Sequence, residues 1–260
     1  MTILLALAAG VIALVAAVRS TWSPCGLSML ATITPLAEQG RGHRYQATAR
    51  WFVVGSLIGG AFLGAGMAFL AAGVAKTHAS NSVLGAIAAA AALITLASDA
   101  RLGGFQLPVH HRQVNERWLD RFRPWVYGAG FGWQIGAGLA TYIRTCAVYL
   151  MIVLAALTGS PTTAIVIGVA FGLVRGLAVY LGRRITSSVA LAEFHRRFTV
   201  AGPIALAAVV ACEAVVALTF STIVSVWLGG VVATALALTA LAGAWRRRQQ
   251  SVPTPSVTLR

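Results

Sequence analysis

The chain has 260 residues, of which 58% are hydrophobic and only 10% charged, and its formal net charge is +14. Soluble domains carry about 25% charged residues, so the composition excludes an ordinary soluble domain and points to a polytopic, all-α membrane bundle. The basic residues form short clusters between apolar runs, which is a pattern of membrane topology and not of nucleic-acid binding. Three cysteines (Cys25, Cys146 and Cys212) without a CxxC pair or Cys/His ligand spacing argue against a disulfide scaffold and a zinc site. No metal or other cofactor is expected.

A membrane-crossing helix needs about 20 apolar residues. The first apolar stretch runs over residues 3–36 and starts without a basic n-region, so it reads as a retained span. It is interrupted at 20–35, where six hydroxyl side chains, Cys25, Gly26, Pro24 and Pro35 crowd together. Proline lacks a backbone donor and clashes with the preceding turn, so a broken helix is expected there. Residues 50–74 form a second span, with Gly55, Gly59, Gly60, Gly64 and Gly66 as close-packing positions. An alanine-rich third span covers 81–99, and a basic loop containing His110 and His111 follows over 105–126. Span four covers 127–158 and holds Cys146; spans five, six and seven cover 162–181, 199–219 and 223–244. The tail over 246–260 reads as disordered.

Sixteen basic residues fall on one set of loops and the tail, against Lys76 alone on the alternate loops. The positive-inside rule then places the N-terminus outside and the C-terminus in the cytoplasm, with an odd span count in the inner membrane. Arg19, Arg144 and Arg175 remain inside spans, where each costs about 2.5–3.5 kcal/mol on insertion scales. Arg19 lies near a helix break and can snorkel; Arg144 and Arg175 read as facing a polar interior.

Spans one to three (1–104) and four to six (127–220) run in opposite senses, with 221–245 as an extra span. Such inverted repeats place functional sites at the midplane, on broken helices. Cys25 and Cys146 occupy comparable places in the two halves. Each is equally readable as a small buried hydrophobe.

Residues 10–66, with Ser23-Pro24-Cys25-Gly26 ahead of a glycine-rich span, resemble the opening of the CcdA/DsbD transmembrane family of cytochrome c biogenesis and thiol–disulfide interchange proteins. Residues 130–182, with Thr145-Cys146, Ser160-Pro161 and Phe171 to Gly176, resemble its second half. The resemblance implies a thiol–disulfide electron carrier in which Cys25 and Cys146 form a redox pair, with Pro24, Gly26, Pro35, Arg144 and Arg175 in supporting roles. It also implies a cytoplasmic thioredoxin-like reductant and an extracytoplasmic thioredoxin-like acceptor as partners. Four features depart from the family pattern: Thr145 stands where a proline is usual before the second cysteine, Gly26-Leu27-Ser28 stands where a second proline is common, a seventh span is present, and Arg144 lies two residues before Cys146. A transporter of a thiophilic metal ion or small sulfur compound is the rival reading, since thiolates select soft metals. Cys212 reads as packing. Glu213, a carboxylate inside span six, is a functional candidate by position.

Overall fold

The computed structural model describes residues 1–108, 121–139 and 142–250, with the side chains of 238 and 240–250 excepted. Every regular element among them is helical. The helices are α1 (Thr2–Ser20), α2 (Pro24–Thr32), α3 (Pro35–Gly40), α4 (Tyr45–Thr77), α5 (Asn81–Asp99), α6 (Pro124–Gly136), α7 (Ala147–Leu157), α8 (Pro161–Leu177), α9 (Ser188–Val224) and α10 (Val226–Gln250). Short 3₁₀ turns follow α5 and α8. The loop histidines His110 and His111, and the tail beyond Gln250, lie outside the described residues.

Five stretches, α1, α4, α5, α8 with its 3₁₀ extension, and α9, are long and apolar enough to cross a membrane. The protein is an all-helical membrane bundle. Its lateral faces fit that solvent: along α1, Ile3, Leu7, Val11, Leu14 and Val18 point outward, while Leu5, Ala9, Ile12, Ala13, Ala16 and Ala17 face the interior. Lipid tails are as apolar as leucine, so burial drives helices together only weakly in a bilayer, and close packing must supply the association.

That packing centres on α4, which lies between α6 and α8. A Cβ on Gly55 or Gly59 would overlap the Ala129 or Trp133 carbonyl of α6, and one on Gly60 would overlap the Gly168 carbonyl of α8. The partners are equally bare. A Cβ on Gly132 or Gly136 would strike the backbone of Phe52 or Ser56, and one on Gly172 would strike the Ser56 carbonyl. Spacing by four residues aligns these glycines on one ridge of each helix. Ser56 Oγ donates to the Gly172 carbonyl at 2.7 Å across the same contact. Gly66, grouped with these glycines by sequence, has open space around it.

The prolines mostly begin helices. Ser23, Thr34 and Ser160 cap α2, α3 and α8, each accepting from the backbone N–H three residues on, with Pro24, Pro35 and Pro161 in the first turn. A proline there loses no helical hydrogen bond, because that N–H has no partner inside the helix anyway. Pro203 lies inside the 37-residue α9.

Replacing Gly172 with alanine is expected to destabilise the bundle by about 1–3 kcal/mol, the usual cost of overpacking a close contact. Gly66→Ala is expected to leave the midpoint unchanged. Thermal unfolding of both variants in one detergent checks the contrast.

Candidate functional site

Two interruptions of the chain build the site. The first separates α1 from α2 over residues 21–23. Gly26 sits so close to the Thr21 carbonyl that a Cβ would overlap it, so this tight reversal requires glycine. Trp22 stacks on Phe198 with ring centroids 4.3 Å apart, and its indole N–H donates to the Phe198 carbonyl at 2.7 Å. Arg19, in the last turn of α1, donates from Nη1 to the Gly202 carbonyl at 3.2 Å. Both carbonyls belong to α9 just before Pro203, so the end of α1 is pinned to that segment. Arg19 is only 6% exposed and does not snorkel outward; its Nε has no hydrogen-bond partner.

The second interruption lies between α6 and α7. Gly138, at φ +68°, ends α6 in the left-handed conformation that glycine adopts without strain. Ala140 and Thr141 lie outside the described residues. No proline begins α7; a carboxylate does that work. Asp99, the last residue of α5, accepts from the Cys146 backbone N–H at 2.9 and 3.1 Å and from the Thr145 hydroxyl. An anion at a helix N-terminus satisfies orphan donors and complements the helix dipole. The second break therefore forms with Thr145 in the position where a proline was the expected signal.

A cavity of about 280 Å³ opens between the two breaks, lined by Arg19, Asp99, Arg101, Arg144 and Cys146 among others. Ser98 Oγ lies 3.1 Å from Cys146 Sγ and accepts from the Leu107 backbone N–H at 2.9 Å. Arg19 sits deep, whereas Arg101 and Arg144 are exposed. Glu213 of α9 is fully buried and interacts electrostatically with Asp99. Neither of its oxygens accepts a hydrogen bond; the neighbouring Thr95 hydroxyl is turned to the Ala92 carbonyl at 3.2 Å. Among the described residues no three His, Cys, Asp or Glu side chains converge as a ligand set for a metal.

The other residues singled out by sequence fall elsewhere. Cys25, in the first turn of α2, is buried in a cluster with Met29, Leu30, Phe52 and Phe131. It interacts with Arg175 of α8. Arg175 is 3% exposed, its Cζ lies 5.7 Å from the Phe171 ring centroid, and its Nη2 has no hydrogen-bond partner. Pro24 and Pro35 serve as helix starts.

A further polar centre, which the sequence reading did not single out as a site, lies at α3. Glu38 of α3 is fully buried and accepts from Tyr127 Oη at 2.6 and 2.7 Å, from Thr48 Oγ1 at 2.5 Å and from Arg41 Nη1 at 3.1 Å. It ties α3 to α4 and α6. The available signal was a lone carboxylate at the end of an apolar stretch, with Arg41 three residues later.

Comparison with known proteins places the chain. No family model matches it, and no solved structure does. The methylamine utilization protein MauF of Methylobacillus flagellatus is 31% identical over 201 residues, covering 72% of this chain and 68% of that protein. The chain belongs to the MauF family. MauF of Paracoccus denitrificans is 34% identical over 183 residues, and MauF of Paracoccus versutus is 32% identical over 184. The chain matches 61% and 64% of the lengths of those two proteins.

MauF membership corrects the resemblance to the CcdA/DsbD family. With it falls the reading of this chain as a thiol–disulfide electron carrier through Cys25 and Cys146. The resemblance was carried by features that any broken, tightly packed membrane helix needs. Ser23-Pro24 is a capped helix start, and the glycines of the second span are close-approach positions, so neither reports on thiol chemistry.

Tyr127→Phe is expected to cost about 1–2 kcal/mol, as for a hydrogen bond to a charged group inside a membrane bundle. Thermal unfolding beside the wild type measures it, and Thr48→Val should give a smaller loss, since Tyr127 reaches both Glu38 oxygens and Thr48 only one.

Proposed function

We propose that this protein is a membrane-embedded accessory protein of methylamine utilization whose working centre is the cavity between the two chain breaks. The observation that carries the reading is the 31% identity across two-thirds of a MauF relative. The charge of the cavity narrows the role. Three arginines face it with Asp99 as the one acidic lining residue, whereas methylamine is a cation at neutral pH. The site repels methylammonium, so the role is to support the pathway and not to carry its substrate through this cavity.

Topology follows the charge distribution. Sixteen basic residues on one set of loops and the tail against Lys76 on the other support an outside N-terminus, a cytoplasmic C-terminus and seven crossings in the inner membrane. On this reading α6 and α7 together make one interrupted crossing, and α10 makes the last. Arg144 and Cys146 belong to the working cavity; Cys25 and Arg175 hold the far side of the bundle together.

Deleting the gene for MauF in Paracoccus denitrificans is expected to abolish growth on methylamine and to spare growth on succinate. Expression of this chain should restore methylamine growth. If the chain reaches the membrane at the level of the native protein and growth does not return, the reading is wrong.

A further inference from the structure

We propose that the cavity between the two breaks is a binding site for a small carboxylate. Its charged end lies against Arg19 and Arg144, and its short apolar body lies against Leu107, Ile143 and Leu206. The inference rests on the reading of this cavity as the working centre, and names the ligand class it takes.

Among the described residues that line the cavity, three guanidiniums face one carboxylate. The guanidiniums of Arg19 and Arg144 act on each other electrostatically, and Arg19 also feels Asp99. Like charges gathered in a partly desolvated space oppose folding unless an anion joins them. Asp99 is the one acidic group among the described lining residues, and both of its oxygens are already engaged by the Cys146 backbone and the Thr145 hydroxyl. The N-terminus of α7 is likewise occupied by Asp99, so an anion in this cavity would be held by arginine.

Arg19 shows where such an anion docks. It is more than nine-tenths buried and lines the cavity, with Nη1 held by the Gly202 carbonyl and Nε left without a partner. Gly202, whose carbonyl accepts from Nη1, lies beside both Arg19 and Trp22. The Arg19 charge suits a carboxylate oxygen at the cavity wall. The exposed Arg144 guards the mouth. Leu107, Ile143 and Leu206 add apolar wall beside the polar Ser98, Gln106 and Tyr142. The three apolar side chains match the body of a short organic acid, and the polar ones leave inorganic phosphate as the rival that the test separates. At about 280 Å³ the cavity lies at the small end of ligand pockets.

The test is calorimetric titration of the full-length protein in phosphatidylcholine nanodiscs with butyrate, inorganic phosphate and methylammonium chloride in separate runs. Butyrate is expected to saturate one site and methylammonium to give no binding. Arg144→Gln, at an exposed position that should leave the melting temperature unchanged, is expected to weaken butyrate at least tenfold; Arg19→Gln should abolish binding. An unchanged butyrate affinity in Arg144→Gln overturns the proposal, as does the absence of saturation. Binding of phosphate, or of phosphatidylglycerol added to the nanodisc, without binding of butyrate assigns the arginines to a phosphate group and also overturns it. Absence of butyrate binding alongside restored methylamine growth removes the ligand and leaves the function standing; binding without restored growth does the reverse.

Discussion

The contact on which everything else depends is the backbone-to-backbone approach of α4 to α6 on one side and α8 on the other. A bilayer offers little hydrophobic force between helices, so the bundle holds where carbonyls and glycine Cα atoms can touch. Gly55, Gly59 and Gly60 on α4 meet Gly132, Gly136, Gly168 and Gly172 on the neighbours. Ser56 adds a hydrogen bond to the Gly172 carbonyl in the middle of the contact. This three-helix slab fixes where α6 ends and where α8 begins. Gly138, the residue that turns the chain out of α6, packs directly against Phe171 of α8.

The end of α1 and the Thr145–Cys146 break line one cavity. Unpaired backbone at membrane depth is tolerated only when protein or a polar cavity satisfies it. Here each break has its own solution. Ser23 and Pro24 restart α2 locally, whereas α7 is restarted by Asp99 from a separate helix. The arginines of the cavity are held by the same parts. Arg19 is tied to the α9 backbone beside Pro203, and Arg144 lies two residues from the capped N-terminus of α7. Structure and charge at this site are therefore one problem: the side chains that close the broken backbone also leave a concave, positively charged surface.

Much of this was readable from residues close in sequence. A hydroxyl residue followed by proline is a local helix start, and Ser23-Pro24 and Thr34-Pro35 interrupt the first stretch where composition indicated. The third span coincides with α5, Asn81–Asp99. What sequence could not supply were contacts between distant positions. Asp99, the last residue of the third span, is the cap of α7, 47 residues further on. Glu38 finds Tyr127 across 89 residues. Gly66 was grouped with the packing glycines, though only its helical phase separates it from them. The family resemblance failed for a related reason, because motifs made of caps and close-approach glycines record the physics of broken helices more than the chemistry done on them.

The central claim is that α1, α5 and the Thr145–Cys146 break enclose one water-reaching, positively charged cavity. The direct measurement uses Leu206→Cys in a protein whose three native cysteines are replaced by alanine, probed in membranes with methanethiosulfonate reagents of opposite charge. Leu206 lines the cavity. The sulfonate-bearing reagent should modify it several-fold faster than the ammonium-bearing one, and Arg144→Gln should narrow the difference. Absence of modification by either reagent, or faster modification by the cationic one, would contradict the account.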